Sequence, residues 1–169
     1  MKKLILICLI TATSTLYAQE RAEVVFHNFP WGTSMTEFTA KMGNPARVDE
    51  VNGLRSLVYD NLIVSGYRAF MVVFFSKNGL EGGTYYLETF SYDELVKCYS
   101  DLQNELIELY GPTRIINTIH RERAPYMTAW SHLKTGYIHL LVDTRKNDPI
   151  SLWYSSPALT SQLFGIEIR

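Results

Sequence analysis

Residues 91–112 read SYDELVKCYSDLQNELIELYGP. Ser91 with Glu94 three residues later is a capping box, in which each side chain satisfies an amide that the first helical turn leaves without a partner. Phe90 and Leu95 stand at the hydrophobic-staple positions. Leu95, Tyr99, Leu102, Leu106 and Leu109 then recur at spacings of three and four, which is one apolar helical face. Gly111 accepts a left-handed turn and Pro112 prevents continuation, so the stretch predicts a helix over 92–110.

The same punctuation occurs earlier, in the stretch SMTEFTAKMGNP of residues 34–45. Ser34 and Glu37 form the capping box, Phe38 and Met42 face inward, and Gly43-Asn44-Pro45 is the stop, which predicts a helix over 35–42. After each helix the period changes. Arg68 to Phe75 and Tyr137 to Asp143 are rich in β-branched and aromatic residues and are bounded by the turn signals Lys77-Asn78-Gly79 and Lys146-Asn147-Asp148-Pro149.

The two halves align in order. Pro45-Ala46-Arg47-Val48 matches Pro112-Thr113-Arg114-Ile115 at an offset of 67, and Tyr59 matches Trp130 at 71. Gly66-Tyr67 matches Gly136-Tyr137 at 70, Lys77-Asn78 matches Lys146-Asn147 at 69, and Tyr85-Tyr86 matches Trp153-Tyr154 at 68. The expectation is an α+β fold made of two tandem repeats, each a helix followed by an antiparallel meander of about four strands, with the helices on one face of the sheet. Residues 19–88 form the first repeat and 89–169 the second, with a C-terminal tail.

Strand residues alternate between faces, so the alignment also predicts which side is buried. Phe70, Val72 and Phe74, with Ile138, Leu140 and Val142, are apolar in both halves and are expected beneath the helices. The other face then carries Tyr67, Met71, Tyr85, Tyr137, His139 and Trp153, and is expected to remain open unless residues 157–164 fold over it. Tyr, Trp and Met bury large areas at small rotamer cost, which makes this set a candidate protein-binding face.

The first 18 residues carry Lys2 and Lys3, an apolar run from Leu4 to Ile10 and an exit at Leu16-Tyr17-Ala18. That is the layout of a secretory signal peptide, cleaved after Ala18, and its apolar run is shorter than a spanning helix requires. The rest has 14 basic and 17 acidic residues and one cysteine, Cys98. No basic field is available for a polyanion, so nucleic acid is not an expected partner. The expected location is the periplasm or outside the cell, with no spanning segment after the signal and, because Ile7 precedes Cys8, no lipid anchor.

Gly32-Thr33-Ser34, Glu37-Phe38 and Met42-Gly43-Asn44-Pro45 resemble the helix start and stop of the small outer-membrane assembly lipoproteins of the SmpA/OmlA type. The doubled form is similar to the secreted β-lactamase inhibitor proteins, although a single cysteine cannot form the disulfides usual there. The resemblance implies a fold and a habit of binding proteins, without assigning site residues.

The sequence holds no Gly-rich phosphate loop, nucleophile elbow, Cys-x-x-Cys pair or His-Glu-x-x-His helix. Cys98 paired with His120, His132 or His139 is a conceivable thiol nucleophile and base, but its place at the edge of an apolar stripe suits packing. His27, His120, His132 and His139 lie far apart without carboxylates at ligand spacing, so neither a metal nor another cofactor is expected. His120-Arg121-Glu122-Arg123 reads as a solvated loop, and Trp31 as a seal at the end of the core. The functional expectation is a non-enzymatic module that binds another envelope or secreted protein. The alternatives are a small-ligand or hydrolytic protein with a pocket between the repeats, and a structural subunit of a surface assembly.

Overall fold

The computed structural model describes residues 23–51, 53–113, 115–117, 126–130, 135–143 and 149–164. The expected signal peptide, the histidines His120 and His132 and the cluster 120–123 lie outside these residues. Helix α1 (Met35–Met42) begins where Ser34 Oγ accepts from the Glu37 amide at 3.1 Å, and ends at Gly43, whose φ of 83° only glycine adopts freely. Helix α2 (Tyr92–Tyr110) begins with Ser91 Oγ accepting from the Glu94 amide at 3.2 Å. Glu94 reaches back to the Phe90 amide at 2.7 Å, one residue earlier than the box anticipates. The hydrophobic staple does not close, because Phe90 stays exposed while Leu95 is buried.

Four strands follow each of these helices. The first set is β1 (Arg47–Val51), β2 (Leu54–Val64), β3 (Tyr67–Ser76) and β4 (Gly79–Leu87). The second is β5 (Ile115–Asn117), β6 (Tyr126–Trp130), β7 (Tyr137–Val142) and β8 (Ile150–Ser155), after which comes helix α3 (Pro157–Phe164). All eight strands form one sheet in the order β1-β2-β3-β4-β8-β7-β6-β5. Every neighbouring pair is antiparallel, including the central one, in which Tyr85 faces Leu152 and Thr84 faces Trp153. The chain is thus α+β, with an antiparallel sheet and few helices.

One face of the sheet is the core. It takes Leu57 and Tyr59 from β2, Ala69, Met71, Val73 and Phe75 from β3, Tyr85 and Leu87 from β4, Ile138, Leu140 and Val142 from β7, and Ile150 and Leu152 from β8. The sequence expectation was right for β7 and β8 and inverted for β3, where Phe70, Val72 and Phe74 lie on the other face and are only partly buried. On α2 the buried stripe is Leu95, Cys98, Leu102, Leu106 and Tyr110. Cys98 and Tyr110 stand at the two edges of this stripe, Leu109 is 48% exposed and Tyr99 only partly buried, so the buried row runs at i, i+4 from Cys98 to Tyr110 and crosses the expected one.

Two helices and an N-terminal turn cover the core face. Phe38 of α1 is fully buried among Phe29, Phe75 and Tyr59, with ring centroids at 4.4, 5.4 and 6.0 Å. Residues 26–29 form a tight hairpin, with Phe26 and Phe29 exchanging both backbone hydrogen bonds at 2.9 and 3.1 Å. Gly83 makes room for it: a Cβ there would stand 2.2 Å from Phe26 Cε1. Trp31 packs against the core edge and donates its indole N–H to the Thr135 carbonyl at 2.6 Å.

The third helix departs from the expectation that helices share one face. A Cβ at Gly82 would stand 2.7 Å from Leu159 Cδ2, while one at the adjacent Gly83 meets Phe26 on the core side. Consecutive strand residues point oppositely, so α3 packs on the second face. There Thr160 and Ser155 share a hydrogen bond at 2.7 Å, and Ser156 Oγ donates to Glu81 at 2.5 Å.

Candidate functional site

The structure does not assemble the six residues expected on an open face. Met71 is wholly buried and Tyr85 is 6% exposed, both on the core side. Tyr67 shares their strand parity and packs at the core edge, where its hydroxyl donates to Asp101 of α2 at 2.8 Å. The physical reason is that both sets of β3 side chains are apolar, so a one-residue error in aligning the halves exchanges the faces unnoticed.

Tyr137, His139 and Trp153 do lie on the second face. Tyr137 and His139 meet edge to face at 4.1 Å, and Trp153 packs on Phe74 at 5.2 Å. Phe70 and Tyr86 stack at 4.7 Å with their planes 15° apart, and these two with Phe74 replace the three residues lost to the core side. Burial pushes the His139 imidazole down to about 4, so it is neutral at pH 7. This surface is already partly filled: Thr84 and Ser56 are buried within it, and α3 covers its Gly82–Ser155 end.

A cleft of about 300 Å³ opens on the other side, between the sheet and the C-terminal half of α2. Its floor is Tyr85, Leu152 and Tyr154, and its roof is Leu102, Leu106, Leu109 and Tyr110. One wall is the turn at Val25, His27 and Asn28, and the other is the end of the β2–β3 hairpin at Ile63, Val64 and Ser65. Both walls are two-residue turns with positive φ. His27 and Asn28 are at 51° and 63°, and Ser65 and Gly66 at 49° and 85°, the conformation that matches the twist of paired strands.

The walls are fixed by side-chain hydrogen bonds. His27 Nδ1 and the Tyr85 hydroxyl are 2.8 Å apart, and Ser65 Oγ donates to Glu105 Oε2 at 2.6 Å. One turn of α2 earlier, Lys97 donates to Asp101 at 2.5 Å, and this contact together with the Tyr67 hydroxyl holds the Asp101 carboxyl below its usual range. Burial lowers the His27 imidazole and raises the hydroxyls of Tyr85, Tyr110 and Tyr154, so all four are neutral near pH 7. Tyr85 and Tyr154 both sense Tyr110 electrostatically, and Tyr154 also senses Tyr85 and Glu105. Among the described residues, no hydrogen bond reaches the Tyr110 or Tyr154 hydroxyl.

The other chemistry considered from sequence is not brought together. Cys98 lies wholly buried under α2, and burial followed by the nearby Asp101 and Glu94 pushes its thiol up to about 12. Such a thiol is not a nucleophile at neutral pH. Among the described residues, no three His, Cys, Asp or Glu side chains converge as metal ligands, and no helix is long and apolar enough to cross a membrane. Sequence reasoning named Tyr85 but missed His27, Glu105, Tyr110 and Tyr154 as site residues. No local signal in the sequence set these four residues apart, since Glu105 is one of two glutamates, with Glu108, in the last turns of α2.

No family model and no curated protein matches the chain. Among solved structures it is similar to an extracellular protein containing a SCP domain from Bacillus anthracis, at 11% identity and a TM-score of 0.44, over 84% of this chain and 50% of that one. A cysteine-rich secretory protein from Staphylococcus aureus matches at 12% identity and a TM-score of 0.42, over 80% of this chain and 48% of that one. The chain thus spans about half the length of each.

Proposed function

We propose that the chain is an exported, non-enzymatic binding protein that holds a small amphipathic molecule in the cleft between its two halves. The observation that carries this reading is the cleft's composition: an apolar roof and floor, with the Tyr110 and Tyr154 hydroxyls left without partners at its lining. Sites for small molecules are concave and largely apolar with a few converging polar groups, and a hydroxyl that no protein group engages is free to bond a ligand. Residues 1–18 support export. The high thiol pKa of Cys98 favours binding over thiol catalysis.

The reading includes a duplication. The last strands of the two meanders, β4 and β8, pair antiparallel at the centre of the sheet. Two copies of one helix-plus-meander unit related by a local two-fold axis would meet in that way, with both leading helices on one face. The cleft then lies at the junction of the copies.

The test is native mass spectrometry of the exported protein after exposure to a small-molecule extract of its own envelope, beside Leu109→Trp. Leu109 is exposed at the cleft mouth, so the larger ring should block entry while leaving the fold intact. An adduct on the wild type that is lost in the variant supports the reading. No adduct, or an equal adduct on both, refutes it.

A second reading, capture of another envelope or secreted protein, is favoured by the aromatic row Phe70, Tyr86, Phe74 and Trp153, which neither α1 nor α2 covers. Phe74→Ser with Trp153→Ser should abolish recovery of a specific co-purifying protein from the envelope. Unchanged recovery removes this face from consideration.

A further inference from the structure

We infer that the ligand of the cleft is an organic monocation: an ammonium group seated at Glu105 and the tyrosine hydroxyls, with a hydrocarbon portion lying along Leu102, Leu106 and Leu109. This deepens the binding reading above and rests on it. Glu105 is the one acidic or basic residue of the Asp, Glu, Lys and Arg classes among the residues that line the cleft. It is not neutralised: the ion pairs of the described residues are Lys41–Glu37, Arg47–Asp49 and Lys97–Asp101, and none includes Glu105. Ser65 holds Oε2, and Oε1 accepts no hydrogen bond among the described residues. A carboxylate oriented through one oxygen with the other open at the edge of an apolar cleft attracts a cation and repels an anion, and no cation in the lining would offset that repulsion.

The hydroxyls can serve such a ligand. An ammonium offers only donors, and the phenol oxygens of Tyr110 and Tyr154 can accept from it. Tyr110 is 5% exposed, so its oxygen is reached through the cleft and not from the outer surface. Tyrosine rings also attract cations through their quadrupole, which adds to the preference. The apolar part of the ligand is specified by the mouth. Ile63 and Leu109, which both line the cleft, are 66% and 48% exposed, so a hydrocarbon lying along them covers two large apolar side chains that are otherwise in water. An inorganic cation has nothing to place there.

The test compares three probes with one skeleton: phenethylammonium, 2-phenylethanol and 3-phenylpropanoate, titrated calorimetrically into the wild type, Glu105→Gln and Leu109→Trp. The expected result is wild-type binding of the ammonium about tenfold tighter than the alcohol, with the carboxylate weaker still. Glu105→Gln should lower the ammonium affinity about three- to tenfold and leave the alcohol unchanged, the range set by one partly exposed charge contact. Glu105 is on the exposed side of α2, so Gln there keeps the fold, and Leu109→Trp should block all three probes. If the alcohol or carboxylate binds as tightly as the ammonium and Leu109→Trp blocks it, the cation is overturned while the cleft reading stands. If no probe binds, the cation is overturned; the envelope-extract experiment then decides the cleft reading separately.

Discussion

Removing one oxygen atom from the cleft tests whether its polar lining is built for a ligand or for the fold. Tyr110 is buried, lines the cleft and has no hydrogen-bond partner for its hydroxyl among the described residues. A buried polar group left unpaired costs about 1–3 kcal/mol. The cleft opens to solvent, so water reaches the hydroxyl part of the time and the lower end of that range applies. Tyr110→Phe keeps the ring and its packing, and should therefore stabilise the unliganded protein by about 1 kcal/mol, a rise in Tm of about 2–4 °C for a domain of this size. The control is Tyr67→Phe, whose hydroxyl does have a partner in Asp101 at 2.8 Å and should destabilise. Urea unfolding followed by tryptophan fluorescence, with unchanged slopes, gives both differences. The same Tyr110→Phe change should weaken the ammonium probe. The reasoning is refuted if Tyr110→Phe destabilises by as much as Tyr67→Phe, since the hydroxyl would then be supporting the fold.

Three further expectations follow from the same geometry. Gly79→Ala should cost about 2–4 kcal/mol and Gly53→Ala about 1 kcal/mol in urea unfolding: both have positive φ, but a Cβ at Gly79 would run into the Gly32 carbonyl, whereas Gly53 faces open space. Equal costs would mean that residues 30–33 do not dock on the β3–β4 hairpin. Cys98 should resist iodoacetamide at pH 8 in the folded protein and react at once in urea, because burial holds its thiol near 12; modification of the native protein, read by mass, would contradict this. His139 titrates at about 4 in the folded chain against its ordinary 6.5, so the unfolded chain binds the extra proton between those values. The stability contributed by the neutral ring is whole above pH 6.5 and lost as the pH falls through about 4; His139→Gln should flatten that part of the stability–pH curve, and an unchanged slope would disprove the contribution.

Both leading helices were legible to the residue because caps and stops are local. Ser34, Glu37 and Gly43, and Ser91, Glu94 and Gly111, make or break backbone hydrogen bonds within four residues of themselves, so no tertiary information is needed to read them. The faces of β3 were not legible in the same way. An offset of 68 places Phe70, Val72 and Phe74 on Ile138, Leu140 and Val142, and an offset of 69 places Ala69, Met71 and Val73 there. Only the second agrees with the buried set, and it is the offset already read for Lys77-Asn78 and Lys146-Asn147. With apolar residues on both sides of β3 the alternation that normally fixes register is absent, and the irregularities at Tyr59/Leu62, where Asn61 stands at a φ of 57°, and at Phe74/Phe75 shift parity along the sheet.

The cleft was illegible for a different reason. Its parts come from residues 25–28, 63–65, 85, 102–110 and 152–154, which share no period, and each segment alone has a structural explanation. Leu109 fits the apolar stripe of α2, Tyr85 and Tyr154 fit strand propensity, and His27-Asn28 fits a turn. What distinguishes them is a mismatch visible only in three dimensions: Leu109 is on the expected stripe yet exposed, Tyr110 is off it yet buried, and no protein group among the described residues engages its hydroxyl. The path of the buried row, along Cys98, Leu102, Leu106 and Tyr110, leaves a leucine exposed and a phenol at the lining, which furnishes the cleft with both kinds of contact an amphipathic ligand requires.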